Sequence, residues 1–219
     1  SNIDKENFKK FLINEVPHSL KDHISSYQVN LADEDVKDAA GLIQSCYPPS
    51  PNAIVFLKVK SLFHFEQRLS IFESYAKKFF SYIISESKII EADDSKNLHR
   101  RTDGFSQIVF LEKPKNIETF DWFDHWTHHH TEIAIKTQSN FIYTQNTVVR
   151  KINKESPNFI AIIEECFPSG AMSDQEEFYA AKGNPTLLKK NAEIMMESCN
   201  KFIDFSKIEV IPTSRYLVI

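Results

Sequence analysis

Between Asp124 and Ala134 the sequence reads DHWTHHHTEIA, with four histidines in six residues and Trp126 among them. Imidazoles at that density offer two chemistries, metal ligation and proton transfer, since a free imidazole titrates near pH ~6.5. His125 lies i,i+3 from His128 and i,i+4 from His129, so a helix sets these pairs side by side. A zinc site needs a third ligand and an oriented outer layer, but no HExxH is present and Glu132 falls on the wrong side. No metal site is therefore assigned, and His125, His128 and His129 are read as a solvated turn. His130 is a candidate general acid or base; the alternative is a histidine that caps a helix end or bonds a backbone carbonyl.

A second candidate is the pair Glu164-Glu165 within NFIAIIEECF. Successive residues of a strand face opposite sides, and both alternations here are apolar, so at least one carboxylate must be buried unless it lies near the strand end. A buried acid has a partner or a raised pKa; the alternative is a rim ion pair, with Arg150 as a candidate partner. Glu165 is chosen as the acid facing the cavity. Tyr143, Gln145 and Asn146 follow on a neighbouring strand, where Tyr143 and Gln145 share a face and could orient a small ligand, or simply pack across strands.

Positioning such groups requires a folded frame, and the composition permits one. The chain has 219 residues and room for a sizeable core. Gly is scarce at four, and neither GxGxxG nor GxxxxGK[ST] occurs, so nucleotide-binding loops and a bound cofactor are not expected. Thirty acidic and 26 basic residues give a net charge of −4 without a basic stripe, which disfavours nucleic acid. Three separated cysteines form no CxxC, consistent with reduced thiols of a cytoplasmic protein. Apolar runs are too short to span a bilayer, so no membrane association is expected, and Ser1-Asn2 resembles a protease-cleavage scar.

The sequence also resembles itself. Phe8 and Phe11 align with Phe120 and Phe123, and His18 falls on His130 at the same distance from the first Phe. After a short insertion, Tyr27-x-x-Asn30 matches Tyr143-x-x-Asn146. The second half reads as a strand from Gln107, a helix from an Asn116 cap to about Thr137, strands NFIYTQNTVVRKI and NFIAIIEECF, a helix and a last strand, KIEVIP. That second helix opens at a Ser173–Glu176 capping box, is broken at Gly183-Asn184-Pro185, and resumes to about Ile203. The order β-α-β-β-α-β is the split-βαβ, ferredoxin-like unit. The first half repeats it without an opening strand, with a helix from Glu6, strands near SSYQVNLA and AIVFLKVK, a helix from Phe65 to Ile84 and a strand SKIIEA. The expected fold is α+β: two tandem ferredoxin-like units, residues 3–95 and 105–219, joined by a polar linker at 96–104. Their bare sheet faces should pack together as an intrachain barrel.

The segment WFDHWTHHHTEIAIKTQ, the strand FIYTQNTVVR and EECFPSGAMSDQEEFYAA resemble the EthD family of dimeric α+β barrels, over roughly Phe105 to Val218. The first half resembles a degenerate copy. The family motif Trp-x-x-x-His is carried by Trp126 and His130, followed here by Thr131 and Glu132 where many relatives have a proline. The resemblance implies the fold, and a wider superfamily of oxygenases, isomerases, lyases and haem enzymes. Three functions follow as expectations. One is cofactor-independent acid–base chemistry on a small apolar or aromatic substrate, with His130 and Glu165 catalytic and Trp126, Tyr143, Gln145 and Asn146 binding. Another is a non-catalytic ligand-binding protein, and the last a haem- or metal-dependent enzyme. The chain could be a monomer or a homodimer through an open sheet edge.

Overall fold

The computed structural model describes residues 4–93 and 98–219; the expected cleavage scar, Ile3 and positions 94–97, which include the first two positions of the expected linker, lie outside the described residues. The chain opens with α1 (Lys5–Lys10), whose N-cap Asp4 accepts from the backbone of Glu6 and Asn7, and runs through a π-helical turn (Phe11–Glu15) into α2 (Val16–Leu20). Strand β1 (Ile24–Leu31) follows, then a 3-10 segment (Glu34–Leu42), the short β2 (Gln44–Ser45) and β3 (Ala53–Val59). A 3-10 segment (Glu66–Ser74) precedes β4 (Tyr82–Ile90). The expected helix from Phe65 to Ile84 is thus a correction. Its stretch KKFFSYII lacks an apolar stripe at helical spacing and is rich in aromatic and β-branched residues, which suit a strand.

The rest of the chain follows the expected order. Strand β5 (Phe105–Leu111) leads to α3 (Thr119–Asp124), a π-helical turn (His125–His130) and α4 (Thr131–Thr137). Then come β6 (Ile142–Lys151), β7 (Ala161–Phe167), α5 (Gln175–Phe178), α6 (Pro185–Cys199) and β8 (Glu209–Leu217). Two caps move by a residue or two. Glu118 rather than Asn116 occupies the N-cap of α3, and Asp174 rather than Ser173 caps α5 by accepting from Glu176 N. Asn184 caps α6, with Pro185 at its first position where no N–H is needed.

All eight strands belong to one curled antiparallel sheet, ordered β3-β1-β8-β5-β7-β6-β4 with β2 added beside β8. The expectation of two sheets packed face to face is corrected to one continuous ladder: β8 pairs with β1 (Asn30↔Arg215) and β6 with β4 (Glu86↔Asn146). Edge-to-edge pairing satisfies backbone groups that two separate sheets would leave bare.

The outer face of the sheet is covered by helices. Phe11, Leu12, Val16 and Leu20 pack on Tyr27, Val29 and Leu31 of β1. Trp122 and Trp126 pack on Tyr143, Ile163 and Val210. Both indoles are essentially buried, and the Trp122 indole N–H donates to Phe202 O at 2.7 Å. Truncating either to alanine should cost about 3–5 kcal/mol. The inner face holds a separate core of Ile108, Phe110, Phe159, Ile162 and Ile211.

Candidate functional site

Strand register decides which groups meet. Glu165 stands opposite Tyr143 on β6 and Gln107 on β5, so it points to the outer, helix-covered face. Glu164 stands opposite Thr144 and Ile108 and points inward. The choice of Glu165 as the acid facing the inter-sheet interior is therefore a correction: strand alternation puts Glu164 there, and Glu165 lies under the helices.

Under the helices Glu165 is 8 % exposed. Asn140 Nδ2 donates to its Oε1 at 3.2 Å, and Gln107 also hydrogen-bonds it. Burial outweighs both contacts and pushes its pKa up to about 7. Beside it Tyr143, 2 % exposed, is held well above the usual phenol range, first by burial and then by the Glu165 charge. Cys199 of α6 is likewise pushed up to about 12 by burial and by Glu165. It is a poor nucleophile in this setting.

Tyr143 belongs to a compact polar node. Gln145 Nε2 donates to Thr131 Oγ1 at 2.7 Å and to Tyr143 Oη at 3.3 Å, and Thr131 Oγ1 donates to Trp126 O at 2.8 Å. The Trp126 indole also hydrogen-bonds the Tyr143 hydroxyl. The π-helical turn above provides this arrangement by presenting Trp126 and Thr131 to the sheet together. Such turns interrupt the α-helical ladder and recur at functional sites.

The other expected residues lie apart. His130 packs on the Phe202 ring at 4.6 Å, with Nδ1 3.0 Å from Ser198 Oγ. Burial, with a smaller push from His125, lowers its pKa to about 4, so it is neutral at pH 7. Among the described residues no hydrogen bond links His130 to Glu165. His125 shares Ser198 with His130, while His128 and His129 flank Asp124 at 3.0 and 3.6 Å on the surface. Among the described residues no group of three or more His, Cys, Asp or Glu is arranged to hold a metal. Asn146 sits on the inner face, with Nδ2 donating to Ile162 O at 3.1 Å.

The residue reading passed over Asn140, Gln107 and Thr131, and a whole inner network. Glu164 Oε1 accepts from Gln28 Nε2 (2.8 Å), Asn30 Nδ2 (3.0 Å) and Ser106 Oγ (2.8 Å). Arg215 Nε lies 3.5 Å from it and donates to Gln28 Oε1 at 3.1 Å. Part of the signal was present as alternation: Gln28 and Asn30 interleave with Tyr27, Val29 and Leu31 in β1, whereas Ser214 between Thr213 and Arg215 obscures it in β8. The remaining surface offers an open groove of about 550 Å³ along Ser19, His64, Gln67 and Arg68, far from this chemistry, with solvent-exposed polar walls. Among the described residues no helix is long and apolar enough to cross a membrane.

Comparison with known families places one segment. Residues 115–206, which include α3, the π-helical turn, β6, β7 and α6, match the model of the EthD domain. No curated protein matches the chain.

Proposed function

The chain belongs to the EthD family through residues 115–206, and from that premise we propose that it is an acid–base enzyme in which Glu165 carries the proton. The observation that carries this reading is a carboxyl sealed under α4 and α6 whose pKa stands at about 7. At neutral pH such a group is populated in both forms, which general acid–base catalysis requires. The aromatic and apolar side chains packed on this face (Trp126, Ile163, Met195) suit a small aromatic or apolar substrate. Its acidic C–H would lie next to a carbonyl. Glu165 as carboxylate takes the C–H proton, and the bonding pair moves onto the carbonyl oxygen. The Tyr143 hydroxyl, which already accepts from Gln145 and Trp126, donates its own O–H to that oxygen. Protonated Glu165 then returns a proton to the same carbon as the carbonyl double bond re-forms, and the Tyr143 hydroxyl keeps its own proton. The Oδ1 atom of Asn140 is buried beside Glu165 without a partner among the described residues, an acceptor suited to a ligand donor. His130 is neutral and bonded to Ser198, and serves here to position α6 against the π-helical turn.

The same proposal includes the tandem arrangement. In the second half the strands run β8-β5-β7-β6, the ferredoxin-like order. The last strand of each half pairs antiparallel with the strand that follows the first helix of the other, β4 with β6 and β8 with β1. Both first helices contain a π-helical turn next to the matched phenylalanines, starting at Phe11 in the first half and at His125, two residues after Phe123, in the second. Tyr27 and Tyr143 both pack under helices, while Asn30 and Asn146 sit on the inner face.

The test is deuterium exchange into 1-phenylbutane-1,3-dione and a panel of related aromatic diketones, followed by NMR at pH 7. Exchange above the buffer rate, abolished in Glu165→Gln and reduced in Tyr143→Phe, supports the reading. No acceleration with any member, or acceleration retained in Glu165→Gln, overturns it.

A further inference from the structure

The curled sheet ends in two strands with a single neighbour each, β3 beside β1 and β4 beside β6. Following the antiparallel pairings along β3-β1-β8-β5-β7-β6-β4, direction reverses six times, so β3 and β4 run the same way. One strand laid between them, antiparallel to both, would close the sheet with antiparallel ladders throughout. Both edges already contribute to one inner core: Ile54 and Phe56 of β3 and Tyr82 and Ile84 of β4 pack against its buried residues. None of these four is fully buried, and Val55 and Leu57 on the opposite face of β3 are also only partly covered. An ion pair, Lys58 Nζ to Glu86 Oε1 at 2.7 Å, reaches from one edge strand to the other through two long, half-exposed side chains.

A second, independent observation comes from Asn146, on the strand beside β4. It is 1 % exposed, and its Oδ1 has no hydrogen-bond partner among the described residues, which is costly for a buried amide. Its counterpart Asn30 is fully satisfied. There Oδ1 accepts from Gln28 at 2.8 Å, and Nδ2 reaches Ser106 Oγ at 2.9 Å on β5, two strands away across β8. By the same geometry, the group two strands from Asn146 lies beyond β4, along its free edge.

We propose that β3 and β4 form a docking slot for a β-strand of a partner polypeptide. That strand is about seven residues long, apolar at alternate positions, and carries a Ser or Thr hydroxyl that meets Asn146. Main-chain hydrogen bonds to two edges supply affinity, and the hydroxyl and apolar side chains set register, as in strand-addition recognition. The inference rests on the two-half reading above, since β5 between β8 and β7 is the template for the added strand.

The probe is therefore a peptide with the sequence of Phe105–Leu111, solubilised by terminal lysines, added to the full chain and followed by amide hydrogen exchange. The amides of the β1–β8 and β4–β6 ladders should be protected from the start; their fast exchange would overturn the two-half reading itself. The outward amides of β3 and β4 should exchange quickly alone and about tenfold more slowly with peptide. A peptide carrying Ser106→Ala should bind about tenfold more weakly, the effect of losing one buried hydrogen bond. Outward amides already slow without peptide, or unchanged with it, overturn the slot while leaving the ladders intact. Protection that appears with protein concentration alone, together with a dimer in native mass spectrometry, would assign the edges to a second copy and overturn the partner strand.

Discussion

Glu164 and Glu165 are adjacent in β7 and serve opposite faces of one sheet. The first is paired with Arg215 at 3.5 Å in the inner network; the second has no ion-pair partner among the described residues and is pushed up to about 7 by burial under the helices. The same side chain is thus a member of a hydrogen-bonded ion pair in one place and a carboxyl whose pKa is raised by burial in the other, and the difference is set by neighbours.

Because the folded pKa of Glu165 exceeds that of a free carboxyl, the folded state holds its proton more tightly than the unfolded chain. The stability this gives is complete below the ordinary value of 4.5 and is lost as pH rises to about 7. Wild type should therefore lose about 3 kcal/mol between pH 5 and pH 8 from this group alone. Glu165→Gln should flatten that slope in urea unfolding; an unchanged slope would show the carboxyl is not the cause.

His130 carries the opposite sign. Its pKa is lowered from 6.5 to about 4, so the stability from keeping it neutral is present above 6.5 and is lost as pH falls toward 4. Its ring resonances should not titrate between pH 5.5 and 8 in NMR. In His130→Gln the acid-side loss should shrink by up to about 3 kcal/mol.

The inner pair offers a cycle. Glu164→Leu or Arg215→Met alone should cost about 3–5 kcal/mol, since each breaks a buried, hydrogen-bonded ion pair. The double variant should recover most of that loss. Additive losses in denaturant unfolding would mean the pair is not coupled.

Gly104 sits at φ +82, and a Cβ there would lie 2.0 Å from Phe167 O on β7. Backbone cannot yield that much without parting β5 from β7. Gly104→Ala should therefore destabilise by at least ~2 kcal/mol, read as a lowered Tm.

Much of the frame was legible in the sequence. NFIAIIEECF, apolar on both alternations, announced a strand covered on both faces, and Gly183-Asn184-Pro185 announced a break in the helical run, which the structure divides into α5 and α6. The aligned pairs Tyr27/Tyr143 and Asn30/Asn146 marked side chains that do fall on matching faces of the sheet. What local pattern could not carry was register. Whether Glu164 or Glu165 faced inward depended on how β7 aligns with β5 and β6, and the edge pairing of β4 with β6 is a long-range contact with no short-range signature. The π-helical turn was also invisible, because HWTHHH fits an α-helix equally well. His130 drew attention through its spacing from Trp126, yet packing turned it to Ser198 and Phe202 instead of toward Glu165.

The central claim, a Glu165 proton exchangeable near neutral pH, is tested most directly by titrating that carboxyl in protein labelled with ¹³C at the glutamate side chains, using Glu165→Gln to assign its resonance. The account predicts a midpoint at about 7. A midpoint near the ordinary 4.5 would mean that the carboxyl is solvated or charge-paired, and would contradict its role as the proton carrier.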